Sequence, residues 1–505
     1  VTTKKGRSGT VLKKGLAVNY NAYFGTQSPA KKLDLLNATE YATLRNEAAK
    51  NAGQPLPFAN PESFGEGTDW QDYIFNNSAG IMNHELSISG GNEVSTFYSS
   101  IGYFDQQGVV ASSISNYNRL NLRLNSTHTI SKYITFGNNI GYSHIKSQGG
   151  LNTNSEYGGP LASAVNLDPI TPAVITDPIE ANNSPYIDHA VERDADGNPY
   201  GISKYVVQEL TNPLAYIQTQ QGNYGWSDNL VGNAYLEIEP IKGLKFKSDL
   251  GTKLAFWGGE SFRPTTYLNA YSYTEVNSFS KDQNKGFRWN FENTASYSKT
   301  IEKHNFTALL GMSAFVENSK GQGITYQNLP VNSFDEASMN YSTTADYRDG
   351  YGWESADHKV SSLFGRLTYN FDEKYLFTGI VRRDGSSRFG SNNKYGIFPS
   401  ASAGWVVSRE DFWKSNRTIN FLKIRGSYGV TGNDNIGDFI YLSTIGGGRN
   451  YTFGYDDYTI GYSPNAPSNP DLKWEQTSQL DIGFETTLFD YFTLVFDYYS
   501  KNTTG

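Results

Sequence analysis

The chain of 505 residues contains no cysteine. That absence removes thiol nucleophiles, iron–sulfur clusters, cysteine-based zinc sites and a disulfide scaffold together. No window approaches the ~18 consecutive apolar residues a membrane helix requires, so helical membrane proteins are excluded. Charge is sparse: 18% of residues are charged and the net charge is −8, with no basic stripe to collect phosphates, so no nucleic-acid partner is expected. The six histidines stand singly, without H-E-x-x-H or i,i+4 pairing, and no metal site is expected. Nucleophile-elbow, P-loop and G-x-G-x-x-G patterns are missing, so no catalytic residue and no cofactor is assigned. No repeat recurs at a fixed period, which argues against propellers and solenoids.

What is abundant is aromatic surface: Tyr 36, Phe 29 and Trp 8, at a mean hydropathy of only −0.53. Disordered chains are aromatic-poor, and helical bundles are richer in Leu, Ala, Glu and Lys. The dominant local signal has period two, which sends successive side chains to opposite faces of a strand. Leu120, Leu122 and Leu124 alternate with Asn121, Arg123 and Asn125; Leu244, Phe246, Leu250, Leu254 and Phe256 oppose Lys245, Lys247, Asp249 and Lys253. Leu363, Leu367, Tyr369 and Phe371 oppose Arg366, Thr368 and Asn370, and Leu480, Ile482 and Phe484 oppose Asp481 and Glu485. One face is apolar and the other hydrated. A water-filled interior accounts for the hydrated charges.

Links between these runs alternate in length. Short ones fall at 90–93, 131–133, 242–243, 302–305, 372–374 and 490–491, and Asn/Gly/Ser/Pro-rich stretches near 26–83, 147–225, 258–285, 318–357 and 433–473 read as long loops. The pattern predicts an all-β fold: an antiparallel transmembrane β-barrel with short periplasmic turns and long extracellular loops. Some fifteen strands are expected, near 11–24, 84–90, 95–104, 117–128, 133–145, 226–239, 244–256, 286–299, 305–317, 358–371, 375–385, 399–408, 421–430, 474–488 and 492–500. An unclosed sheet in lipid leaves backbone groups unpaired, so the barrel is expected to need more chain. One helix is expected from an Asn37 N-cap to Gly53, with Glu40 completing a capping box and Tyr41, Leu44 and Ala48 on one face.

Two kinds of candidate site remain. Aromatics near strand ends (Tyr103, Phe104, Trp405, Phe412, Trp413, Tyr498, Tyr499) suit interfacial girdles, whereas Trp226, Trp257, Tyr351, Trp353, Tyr451 and Tyr455, in or beside long loops, could stack on a solute. Loop carboxylates pair at Asp434 with Asp438 and at Asp456 with Asp457, which keeps open an outer-membrane barrel hydrolase. A secreted β-rich adhesin is the other alternative; it requires the apolar residues to pack between two sheets.

Several stretches, in order along the chain, resemble the SusC/RagA branch of TonB-dependent outer-membrane transporters: Val1–Gly6, Leu33–Tyr41, Asp69–Asp72, Leu86–Glu93, Gly102–Gly108, Arg383–Gly390, Phe398–Ser400, Ser427–Asn433 and Leu472–Glu475. The resemblance implies that residues 1–9 end a plug domain and that 10–505 belong to a barrel of about 22 strands, truncated here at about fifteen. It implies import of a large nutrient, an oligosaccharide or a peptide, across the bacterial outer membrane. The implied partners are a SusD-like surface lipoprotein, TonB acting through a missing N-terminal region, and outer-membrane lipid. The protein is then no enzyme, and the substrate-contact candidates are Trp226, Trp257, Tyr351 and Trp353, with Arg388 and Asn433 as hydrogen-bonding groups at the rim of the lumen. As written, lacking most of the plug, the chain is expected to be unable to transport.

Overall fold

A computed structural model describes residues 16–149, 158–206, 208–341, 347–413, 418–454 and 458–505. The expected plug remnant at 1–9 and the start of the first strand lie outside them, as do Tyr455, Asp456 and Asp457. Sixteen strands form one antiparallel sheet. They are β1 (Ala17–Gln27), β2 (Ala79–Gly91), β3 (Ser95–Gln107), β4 (Asn116–Ser131), β5 (Ile134–Gln148), β6 (Tyr224–Ile241), β7 (Leu244–Arg263) and β8 (Ser278–Ile301). There follow β9 (His304–Gln327), β10 (Arg348–Glu354), β11 (His358–Phe371), β12 (Tyr375–Ser386), β13 (Tyr395–Val406), β14 (Ile419–Asn433), β15 (Glu475–Leu488) and β16 (Phe492–Thr504). Fifteen run as a meander, each beside the next, and β10 alone lies off that path. The sheet is open, because β1 and β16 do not pair with each other.

Register carries the two-faced pattern across the whole sheet. Leu86, Ile101, Leu122, Tyr142, Leu230, Leu254 and Phe287 are direct partners in one row from β2 to β8. One step along, Glu85, Gly102, Asn121, Ser143 and Asn229 form a polar row. A further apolar row runs through Ala308, Leu367, Gly379, Ala401, Tyr428 and Leu480. No second sheet covers these side chains: Leu310 is 69% exposed and Leu363 60%. That overturns the two-layer sandwich an adhesin would need.

The short ends are tight turns. Asp372 and Glu373 both take positive φ (50° and 53°), as do Phe489 and Asp490 (54° and 62°), the paired positive φ of a primed turn, here within three-residue links. The long ends differ from expectation. β7 and β8 stay paired out to Arg263 and Ser278, which puts much of 258–285 in strand, and within 318–357 β9 runs on to Gln327 with β10 against it. Here the sheet has left the apolar band, and both faces carry Gly, Ser, Asn, Gln and Lys, so the alternation that reports a strand disappears while the ladder continues. β10 and β11 lie along the same side of β9; Ser355–Asp357 between them are opposed by Asn318 and Ser319 alone, one residue too many, as in a bulge.

Buried apolar clusters gather toward the long-loop end, and the smaller ones include the strand residues Phe262, Phe279 and Phe398. The largest joins Trp70, Ile74, Ala111, Ile114, Ala164, Leu167, Ala173 and Ile217 from the connections after β1, β3 and β5. The expected helix exists as α1 (Ala38–Asn51), with the reciprocal bonds between Asn37 and Glu40 at 2.9 and 3.0 Å. Its buried face is a correction: Ala38 and Ala42 are inside, whereas Leu44 is exposed. Small residues are buried because the helix lies close to the following segment. Gly67, at φ +72°, has no room for a side chain against Ala38 and the Pro169 carbonyl.

Candidate functional site

The outer loops are assembled by amide side chains that replace missing backbone partners, which is how buried loops avoid orphaned polar groups. Asn46 bonds both backbone groups of Phe58, Gln71 those of Leu33, and Asn277 those of Leu329. Asn212 donates to the Ala173 and Gly201 carbonyls, and Asn269 to those of Gln208 and Leu210. At the centre, the Trp70 indole N–H reaches the Asp168 carbonyl at 2.9 Å. The fully buried Asp168 carboxylate accepts from the backbone of Ile170 and Thr171 and from the hydroxyls of Thr171 and Ser203. Nearby, burial pushes the Glu192 carboxyl above its ordinary value, with Thr266 pulling the other way.

On the polar face of the sheet, three of the six candidate contact residues come together. Trp257 on β7 is the direct partner of Asn284 on β8, Asn284 of Gly321 on β9, and Gly321 of Trp353 on β10. The adjacent row on the same face runs Gly259, Asp282, Gly323, Tyr351. Glycine underlies each ring. A side chain at Gly321 would strike Asn284 and the Trp353 indole, one at Gly323 would strike the Tyr351 ring, and one at Gly286 would come within 3.2 Å of Trp257. The rings therefore lie down on bare backbone, as aromatics do across strand glycines. The Trp353 N–H donates to Asn284 Oδ1 at 3.2 Å, and the Asn284 amide donates to Asp282 at 2.6 Å and to the Trp257 carbonyl at 3.3 Å. The result is a floor of three aromatic faces around one amide and one carboxylate. Sequence reading missed Asn284, Asp282 and the glycines, because only register brings them together.

The other three selected residues lie elsewhere. Trp226 pairs with Gly258 in the parity of Leu230 and Leu254, so it is on the apolar face. Arg388, in the connection between β12 and β13, is spent on the loop after β14: its Nε reaches Asp438 at 2.9 Å and a terminal nitrogen reaches the Asp434 carbonyl at 3.1 Å. Asn433 donates to Glu475 at 3.1 Å and accepts from the Asn435 backbone. Asp434 also meets His358 Nε2 at 2.9 Å, so the carboxylates considered for hydrolysis hold the start of the loop after β14. Below them Phe389, Phe398 and Trp474 form a small buried cluster. Among the described residues no group of three metal-ligating side chains gathers, and no helix is long and apolar enough to cross a membrane.

The family model described as "TonB dependent receptor-like, beta-barrel" matches residues 149–505. The chain belongs to that family. Its β-barrels are outer-membrane proteins. Among curated proteins, TonB-dependent receptor P3 of Formosa agariphila is 30% identical over 509 residues, covering 100% of this chain and 46% of its own length. TonB-dependent receptor SusC of Bacteroides thetaiotaomicron is 29% identical over 518 residues, covering 96% of this chain and 46% of SusC. Among solved structures, the RagAB peptide transporter superposes with a TM-score of 0.80 at 22% identity over 99% of this chain and 55% of that one, a likeness of fold. The SusC/RagA resemblance read from the sequence therefore holds. This TonB-dependent receptor chain spans about half the length of those relatives.

Proposed function

We propose that, within a complete protein, this chain forms much of the wall and outer mouth of an importer that carries a large polar nutrient, an oligosaccharide or a peptide, across the bacterial outer membrane. The apolar face meets lipid and the polar face lines the lumen. Energy enters through TonB acting on a plug, and a SusD-like lipoprotein covers the outer mouth. The step needs capture and release, with no bond chemistry.

The observation that carries this reading is the floor made by Trp257, Tyr351 and Trp353. Flat rings held on glycine offer an apolar face to the C–H side of a sugar or to a peptide side chain, and Asn284 and Asp282 offer directional polar contacts beside it. A site that must also let go is served by such shallow contacts. For the lipoprotein, the loop after β14 presents Ile445, Tyr451, Phe453, Tyr458 and Tyr462 uncovered, with Phe453 at 77% exposure. Large exposed apolar patches mark protein contacts.

Uptake of labelled oligosaccharides and peptides by cells carrying the full-length protein tests the reading. Replacing Trp257 and Trp353 together by Ala should raise the concentration for half-maximal uptake by about tenfold, from two ring contacts of about 0.5–1.5 kcal/mol each. An unchanged value in that double variant removes the floor from the binding surface. Import that continues after the proton-motive force is collapsed rules out TonB.

A further inference from the structure

On the apolar face, just beyond the hydrophobic band, the sheet places two lysines directly opposite each other. Lys285 on β8 pairs with Lys320 on β9, while Lys285 also faces Phe256 on β7. Like charges in direct cross-strand register are destabilising unless something lies between them. Among the described residues no carboxylate reaches Lys285; its ammonium lies 5.9 Å from the centre of the Phe256 ring. Lys320 meets only Glu354 on β10, at a loose 3.7 Å. In the next row outward on the same face, Gln283 pairs with Gln322. The two lysines, the two glutamines, Phe256 and Glu354 line a cavity of about 560 Å³.

Toward the short-turn end, that face becomes mostly apolar: Leu254 pairs with Phe287, Trp289 with Val316 and Leu250 with Phe291, with Asn318 and Thr252 as the polar members among them. Two cations and two amides therefore sit at the upper edge of a strip suited to hydrocarbon. We infer that this cavity holds the phosphate group of an anionic lipid of the outer leaflet, bridged by Lys285 and Lys320, with the acyl chains lying along Phe287, Leu254 and Phe291. A phosphate between the ammonium groups replaces their repulsion with two charge-assisted hydrogen bonds. The glutamines supply further donors to its remaining oxygens. Lysine stems cover apolar surface while the charged ends reach the headgroup level. The inference rests on the reading that the apolar face meets lipid.

The test uses full-length protein extracted from outer membranes and placed in nanodiscs of phosphatidylcholine, with phosphatidic acid added as the probe lipid and inorganic phosphate as a separate probe. Native mass spectrometry should show retained phosphatidic acid. Retention should fall about tenfold or more in a Lys285→Gln, Lys320→Gln double variant, which removes both charge-assisted bonds. Glu354→Gln, which removes the competing carboxylate, should raise retention. Equal retention by wild type and double variant overturns the inference, and so does saturation by inorganic phosphate with no preference for the lipid. A protein released into buffer without detergent would instead defeat the membrane reading beneath it. Heat-modifiable gel mobility of the double variant checks that it still folds.

Discussion

The connection after β5 and the connection after β14 look alike as strings of letters: long, rich in Asn, Gly, Ser and Pro, without periodicity. Folded, they are opposites. The first shares a core with the connections after β1 and β3, and Trp70 at its centre is only 2% exposed. The second contains two ladders of two residues per strand, Ile445–Gly446 with Ser463–Pro464 and Tyr451–Thr452 with Tyr458–Thr459, and leaves its larger side chains uncovered. Its hold on the rest of the molecule is local, through Arg388, the Phe389 cluster and the bonds from Asn392 and Asn393 to Asp471. The difference teaches that composition does not tell a loop from a small domain. A few large apolar residues, Trp70, Ile74 and Leu167, with enough amides to satisfy the backbone around them, make the distinction.

The comparison breaks most sharply at Trp70. Trp70→Ala removes a fully buried ring and its bond to Asp168, and should cost the first assembly about 3–5 kcal/mol. Amide exchange should rise across 58–75 and 160–217 while the 445–464 segment and the heat-modifiable mobility of the barrel stay as they are. Equal loss of protection in both regions would mean that the two outer loops are one cooperative unit. A smaller effect is expected at Arg388→Ala, about 1 kcal/mol for a partly screened pair with Asp438 and one carbonyl bond. Limited proteolysis should then cut sooner within 434–473 and leave 160–217 intact; unchanged cutting would place the anchor in the Phe389 cluster alone. The smallest effect concerns acidity. Because burial raises the Glu192 carboxyl, the folded loop binds a proton more tightly than the unfolded one, so stability is greatest at low pH and declines as pH climbs through the interval above the ordinary value of 4.5. Glu192→Gln should flatten that decline in the first assembly only, as read by pH-dependent exchange. A slope identical to wild type would assign the decline to other groups.

Most of the wall was legible, because burial of one face in hydrocarbon forces alternation that any stretch such as Leu120–Asn125 displays. The fifteen meander strands and the capping box at Asn37 follow from local chemistry alone. What local chemistry conceals is every feature set by partners distant in sequence. β7–β9 run past the expected ends, and β10 lies where a loop is expected, because Gly, Ser, Asn, Gln and Lys on both faces break the alternation there. The face of α1 is inverted because proximity to Gly67 rewards Ala38 and Ala42 over Leu44. Of the candidate contact residues, Trp257, Tyr351 and Trp353 share a surface only through the register of four strands, and the same register puts Trp226 on the reverse side. Arg388 and Asn433, expected as hydrogen-bonding groups at the rim of the lumen, make their bonds at the loop after β14, to Asp438, the Asp434 carbonyl, Glu475 and the Asn435 backbone.

The bare backbone at Gly286, Gly321 and Gly323 has one more effect. Where a wall gives up its side chains, the rings laid over it are recessed by roughly the depth of the atoms that are missing. Any β-carbon added there would tilt the rings upright, away from the backbone they now cover.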